Sequence, residues 1–491
     1  MIWNAFVELL NWAVLISMLA GIAIGIVIGS IPGLGPTMAI ALLIPVTFVM
    51  QPIPAILLLL GVYQGAIFGG SISAILLNVP GTPSSAATAI DGFAMAQKGQ
   101  AAQALKVALY ASLFGNVFSC LVLMGLAEPL ARLALDFGPA ELSVLMLFAL
   151  VIITLFGGGS KLDALIMTLL GACVGVVGMD PIEGSPRFTF GFFSAESGFQ
   201  LIPVLVGLFA MTEVLMFVFQ KPTTASVQAP PLSGGRVGIA QLWQLRRTLL
   251  SSSVIGTFVG ILPGIGSTVP AFMSYNLARS RSRSPETFGH GAVEGVAAPE
   301  AANNAVTGGA LVPTLALGIP GDAVTAVVLG AFMLQGLTPG PFLFRDHGVE
   351  MYAIFEALLL SVIPTAVLAL GFFKIAMKVI HIKPEQLFPA ITVLAVLGAY
   401  AVNNNYFDVW VMLGFGCIGF VLRRNGMPVP PLLIGLILGA PFEQSLRQAL
   451  LMSSGSFGIF VGSWISAGLV AAIVLSALGA WYWSRSKNEA A

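Results

Sequence analysis

Charged residues are scarce in this chain: they make up 9% of its 491 residues, against about 25% in soluble domains. At that density a chain this long cannot cover itself with a solvated surface, so an integral membrane protein is expected. Lys plus Arg and Asp plus Glu number 21 each, and a net charge of zero argues against a nucleic-acid partner. Cysteine is also rare. Cys120, Cys173 and Cys417 stand singly in apolar stretches, which reads as small buried hydrophobes rather than a metal or redox site. His290, His347 and His381 fall in loop-like segments without metal-ligand spacing. There is no GxxxxGK[ST], HExxH or Ser-His-Asp pattern, so neither an ATPase nor a hydrolase is indicated and no enzyme is expected. The first ten residues lack the positive n-region of a signal peptide.

What the chain does have is apolar length. Hydrophobic residues make up 57%, and the runs are too long and too little alternating for barrel strands, so helical spans are expected. It also repeats itself. "GIVIGSIPGLGPT" (25–37) aligns without a gap on "GTFVGILPGIGST" (256–268). "GGSISAILLNVPGTP" (69–83) resembles "GGALVPTLALGIPGDA" (308–323), and "DGFAMAQKG" (91–99) resembles "LGAFMLQG" (329–336). Ordered blocks at similar offset indicate two homologous halves.

Charge supplies the orientation, because cytoplasmic loops are rich in Lys and Arg. Lys221, Arg236, Arg246 and Arg247 surround a polar linker, and Arg279, Arg281 and Arg283 follow the second PG motif. The matching place in the first half, "TFVMQPIPA", is uncharged. Lys98 and Lys106 follow the later first-half block, whereas its counterpart "FRDHGVE" mixes signs. Equivalent loops are thus expected on opposite sides. The resulting expectation is an all-α polytopic membrane protein of two inverted-topology repeats with discontinuous helices or re-entrant hairpins, in about 10–12 membrane segments. Residues 1–220 form the first repeat, 221–248 a cytoplasmic linker, 249–446 the second repeat, and 447–491 an extra transmembrane helix with a short tail. The N-terminus is expected outside.

The chemistry gathers at four interruptions: PGLGP, PGTPSS, PGIGST and PGD. Broken backbone inside a membrane must line a polar cavity or pack within protein. A hairpin tip at the surface explains one such break; four, paired by the repeat, favour broken helices meeting near the midplane. Such ends offer free N–H groups and a positive dipole to an anion. Gly33, Gly35, Gly264, Gly266 and Gly321 permit close approach, and Thr37, Ser71, Ser73, Asn78, Thr82, Ser84, Ser85, Ser267, Thr268 and Thr325 supply neutral polar groups. They are candidates for substrate binding. Any one hydroxyl alone is better read as helix packing, as are the glycines of Gly21-x3-Gly25-x3-Gly29 and Gly256-x3-Gly260. Glu300, Asn303, Asn304 and Asp322 are candidates for a coupling-ion site or polar lining. For Glu300 the plain alternative is an interfacial helix cap after Pro299.

These blocks, together with "LPGIGSTVPAFMSYNLARSRSRSPETFGHGAVEGVAAPEAANNAVTGGALVPTLALGIPG" and "GLTPGPFLF", resemble the large membrane subunit of the tripartite tricarboxylate transporters, the TctA family. The resemblance spans roughly residues 15 to 440. It implies a multi-pass permease of the bacterial inner membrane, embedded in the lipid bilayer, with two partners: a small membrane subunit and a periplasmic solute-binding protein. It implies secondary, ion-driven uptake of a carboxylate substrate such as citrate, other di- or tricarboxylates, or aromatic acids. The coupling cation is expected to be Na+ or H+, and no cofactor is expected. A non-coupled anion channel on the same breaks is the alternative. An intramembrane enzyme lacks a nucleophile–base pair, and a mere scaffold needs no paired breaks.

Overall fold

In a computed structural model, residues 2–219, 238–380 and 384–489 are described. Residues 221–237 of the expected 221–248 linker, with Lys221 and Arg236, and His381 lie outside them. The described chain is almost wholly helical, apart from a two-stranded ladder, β1 (Gly178–Met179) with β2 (Pro186–Arg187). The first half runs α1 (Ile2–Leu9), α2 (Trp12–Gly29), α3 (Pro36–Thr47), α4 (Pro52–Leu77), α5 (Ser85–Gln97), α6 (Ala101–Ala134), α7 (Pro139–Phe156) and α8 (Lys161–Gly175). A span Leu201–Phe219 follows, made of α9 (Leu201–Leu205), a π-helical turn and α10 (Thr212–Phe219). The second half runs α11 (Ile239–Gln244), α12 (Arg246–Ile261), α13 (Thr268–Arg281), α14 (Val293–Leu317), α15 (Ala323–Leu334), α16 (Leu343–Asp346), α17 (Gly348–Leu360) and α18 (Val362–Phe372). It closes with α19 (Ala376–Ile380), α20 (Pro384–Ala401), α21 (Tyr406–Arg424), α22 (Val429–Met452) and α23 (Trp464–Glu489).

Among the described residues eight helices are long and apolar enough to cross a membrane. This is a multi-pass membrane protein. α22 continues without a break past residue 446 to Met452. Two of the cysteines depart from expectation: Cys120 is buried, but Cys173 and Cys417 are exposed. They sit on outer faces of α8 and α21 beside exposed Leu169, Leu170 and Ile418. In a chain surrounded by lipid, an apolar residue need not face protein.

Elements recur in the same order in the two halves. α2 and α12 end at Pro-Gly breaks; α3 and α13 are short; α4 and α14 are long and buried; α5 and α15 are short again. The breaks follow from backbone chemistry. Gly33 and Gly264 occupy left-handed conformations at φ 89° and 80°, which bulkier residues resist. Pro36 then starts α3 at a position where a missing N–H is harmless. Both long helices end on left-handed caps, Asn78 at φ 57° and Gly318 at φ 70°. After each cap the chain folds back along its own helix: Gly81 N–H donates to Gly70 O (3.2 Å), and Gly321 N–H donates to Thr314 Oγ1 (3.3 Å).

Helix contact is made through small residues. A Cβ on Gly21, Gly25 or Gly29 would come within 2.1–2.5 Å of the Leu58, Val62 or Ala66 carbonyl oxygen of α4. Gly61, Gly65 and Gly69 face back onto α2 in the same way. In the second half a Cβ on Gly256 would meet Ala302 O at 2.1 Å. This is the packing role that four-residue glycine spacing predicts. The loop between α13 and α14 is fastened to α5 by Asp91. Its Oδ1 accepts from the N–H groups of Gly289 (2.9 Å), Gly291 (2.7 Å) and Ala292 (2.8 Å), while Oδ2 accepts from Tyr275 Oη (2.8 Å). Lys98 Nζ adds a bond to His290 O at 2.6 Å. At another end of the molecule, Arg447 and Arg187 hold the loop after α8 to Glu443 of α22 through Asp180. The Arg447 hydrogen bond, ahead of the Ile182 N–H, draws the Asp180 carboxyl down to about 2.

Three substitutions test this frame. Gly256→Leu should force α12 from α14 and lower stability by about 1–3 kcal/mol or more, read as the unfolding midpoint of the purified protein. Gly33→Ala, whose Cβ would meet nothing within 4 Å, should carry only the backbone strain. Asp91→Ala orphans three N–H groups and should destabilise by about 3 kcal/mol or more; an unchanged midpoint would show that the loop is held by other contacts.

Candidate substrate and ion site

α14 carries the most polar sequence in the core and is buried along nearly its whole length. Pro299 lies inside this helix, and Glu300 is fully buried. The capping alternative for Glu300 is therefore overturned: a cap needs a helix start, and this helix starts at Val293. Its carboxylate is satisfied by hydroxyls from three first-half helices. Oε1 accepts from Ser71 Oγ of α4 at 2.5 Å and from Thr88 Oγ1 of α5, and Oε2 accepts from Ser112 Oγ of α6 at 2.9 Å. Asn303 Nδ2 adds a longer bond to Oε1 at 3.4 Å. A buried charge is tolerable only with such company.

The network continues along α14. Asn304 Nδ2 donates to Asn303 Oδ1 (2.6 Å) and to Glu300 O (3.1 Å). Asn116 of α6 reaches Asn304 Oδ1 at 3.5 Å and accepts from Thr307 Oγ1 at 2.9 Å. On the other long helix, Gln64 Oε1 of α4 accepts from Ser361 Oγ at 2.5 Å. Beside it on α4, Tyr63 Oη donates to Asp322 Oδ2 at 2.9 Å. Each long helix thus touches the distal break of the other half: α14 near PGTPSS, α4 at PGD.

The two distal breaks are built differently. Asp322 is the N-cap of α15: Oδ1 accepts from Thr325 N (2.7 Å) and Oγ1 (2.9 Å), and Asp322 N donates back to Thr325 Oγ1. A carboxylate already sits on that helix end. At α5 no side chain caps the N-terminus. Ser85 Oγ bonds to Thr82 N and O, Thr82 Oγ1 lies 3.2 Å from Ser84 Oγ, and Ser73 Oγ donates to Gly70 O. These hydroxyls are buried and largely satisfied within their own loop.

The two proximal breaks are more open. Gly264 N–H donates to Gly321 O at 2.7 Å, which ties PGIGST to PGD. Gly266 approaches Asp322: a Cβ added to the glycine would lie 4.0 Å from the Asp322 Cβ. Gly33 is exposed, and Gly35, Thr37, Gly266, Ser267 and Thr268 are half-buried. A Cβ on Gly33 or Gly35 would meet nothing within 4 Å. No hydrogen bond engages the Thr37, Ser267 or Thr268 hydroxyls among the described residues. The first helical bonds there are Ala39 N to Gly35 O and Ala271 N to Ser267 O, so the N–H groups of Thr37 and Thr268 stand ahead of them. Asn78 stands apart from these groups, exposed at the end of α4.

Sequence reasoning singled out Glu300 and Asp322 but not Ser112, which donates to Glu300, or Tyr63, which donates to Asp322. It also missed Gln64, Asn116, Ser361 and Asp91, which bond elsewhere in the buried polar interior. A polar residue at Gln64 or Asn116 within an apolar helix was the available signal. It also passed over Glu356 of α17, which is buried with neither carboxylate oxygen hydrogen-bonded among the described residues. No group of three His, Cys, Asp or Glu able to hold a metal occurs among the described residues.

Known proteins place this architecture. The "Uncharacterized 52.8 kDa protein in TAR-I ttuC' 3'region" of Agrobacterium vitis is 38% identical over 451 residues, covering 92% of this chain and 90% of that protein. The "Uncharacterized protein in TAR-II ttuC' 3'region" of the same organism is 40% identical over 215 residues, covering 44% of this chain and 89% of that protein. No solved structure matches the chain. The tripartite tricarboxylate transporter TctA family matches residues 15–434, the whole of the region that carries the four breaks and the Glu300 network, and the chain belongs to that family.

Proposed function

We propose that this protein is the large permease subunit of a binding-protein-dependent secondary transporter that takes up di- or tricarboxylates, or related organic acids, across the bacterial inner membrane. A small membrane subunit and a periplasmic solute-binding protein complete the system. The halves are inverted repeats, so that breaks of like sequence face the substrate from opposite sides. The observation that carries this reading is the pair of sequence-equivalent helix starts, α3 and α13. Each offers a half-buried hydroxyl without a hydrogen-bond partner and an N–H ahead of the first helical bond. Such an end suits a carboxylate through dipole and donors together, without a buried Arg.

The cation that drives uptake, Na+ or H+, is assigned to the Glu300 cluster, with Asp322 as its counterpart. Oxygen atoms of Ser71, Thr88, Ser112 and Glu300 meet there from four helices. Neutralising Glu300 would loosen α14 from α4, α5 and α6, and that links ion occupancy to movement of the breaks. The short helices α3, α5, α13 and α15 slide with their breaks against the surrounding spans in alternating access.

Thr37→Val with Thr268→Val removes two unpartnered hydroxyls at nearly constant shape. It should lower substrate affinity about tenfold or more in reconstituted vesicles supplied with both partners, at unchanged unfolding midpoint. Full uptake by the double variant would move the substrate elsewhere. Glu300→Gln should abolish the response of uptake to an imposed Na+ or H+ gradient while the protein still inserts and folds. A variant that keeps its gradient dependence would remove Glu300 from coupling, and a wild type that equilibrates substrate regardless of gradient would point to the channel.

A further inference from the structure

A second polar site lies away from the breaks, where α12 begins, α13 ends and α14 begins. A cavity of about 900 Å³ opens there. Arg246, Arg247, Arg281 and Arg283 line it, against a single carboxylate, Glu294. None of these arginines lies within 4.0 Å of a carboxylate oxygen among the described residues, and only Arg246 is engaged, donating to Trp243 O (2.9 Å) and stacking on the Trp243 ring at 4.8 Å. Four exposed arginines around one cavity give it a positive potential that favours an anion there. Thr248, Ser282 and Ser284 add hydroxyls on the same walls, while those of Ser251 and Thr287 already donate to backbone carbonyls.

The surface next to the cavity selects the anion. Leu250, Val254 and Phe258 are exposed at four-residue spacing along α12, which puts them on one helix face. Arg247 precedes Leu250 by three positions, so the cavity leads directly onto this apolar stripe. Trp243, also exposed, stands at the cavity end of the stripe, in the amphipathic position that Trp favours at membrane interfaces. A phosphate ester carrying acyl chains meets both surfaces: its headgroup reaches the arginines and its chains lie on the stripe. We propose that this cavity binds the phosphate headgroup of an anionic glycerophospholipid, on the side where the arginine bias of the sequence locates the cytoplasm.

Occupancy would be felt at the transport core. The cavity wall continues into the 287–292 segment, which Asp91 binds to α5 through three N–H groups. A headgroup that clamps α12, α13 and α14 therefore also braces α5, whose N-terminus follows the PGTPSS break.

Native mass spectrometry of the delipidated full-length protein tests this, with phosphatidylglycerol, phosphatidylcholine or inorganic phosphate added in turn. Phosphatidylglycerol should bind in preference to phosphatidylcholine and raise the unfolding midpoint. The triple variant Arg247→Gln, Arg281→Gln, Arg283→Gln should bind it about a hundredfold more weakly. Arg279→Gln, outside the lining, should leave binding unchanged and controls for bulk charge. Equal binding of the two lipids, or full phosphatidylglycerol binding by a folded triple variant, overturns the proposal. An equal midpoint shift from inorganic phosphate alone overturns the lipid assignment in favour of a soluble phosphate. If the triple variant fails to fold, the single variants Arg247→Gln and Arg283→Gln must each weaken binding, and undiminished binding by both overturns it.

Discussion

The carboxylate of Glu300 constrains this protein more than any other group. Removed from water, it requires hydroxyls of α4, α5 and α6 to point at it. That requirement fixes how α14 sits among three helices from the other half of the chain. It also explains the composition of α14. The helix is shielded from lipid on all sides, so it can carry Asn303, Asn304, Thr307 and two prolines. A helix facing hydrocarbon could not.

Close backbone contact makes the arrangement possible. Interlocking glycines bring α2 onto α4, and Gly256 and Gly260 bring α12 onto α14. The breaks then fall beside these contacts, where some of the interrupted hydrogen bonds find other partners. Gly81 bonds Gly70, and Gly264 bonds Gly321. The proximal breaks keep hydroxyls and N–H groups uncommitted, while the distal ones largely satisfy themselves. Two motifs of similar sequence thus end in different chemical states: PGD brings its own carboxylate as a helix cap, and PGTPSS does not.

Much of the helical plan was legible along the chain. Apolar length marked the spans, and Pro and Gly marked where they stop. The breaks could be placed because left-handed backbone and missing N–H groups are properties of single residues and their neighbours. Glu300 and Asp322 stood out because acids are rare in such surroundings. Of their partners, Ser71 stood out beside a break, but Tyr63 and Ser112 did not: they are ordinary residues on helices, and only the packing of the two halves aims them at Asp322 and Glu300. Asp91 was read only as part of a repeated block; its three N–H donors come from a loop about 200 positions later.

The sequence by itself determined a multi-pass helical membrane protein and the positions of its four interruptions, because hydrophobic length and backbone preference are local; its family was legible only through the resemblance of whole blocks. The tertiary structure decided which hydroxyls remain free, which carboxylate serves as a cap, which cysteines face outward, and that Glu300 lies inside a helix rather than at its start. Those outcomes depend on which helix faces meet, and residues hundreds of positions apart settle that through packing and hydrogen bonds that no local pattern encodes.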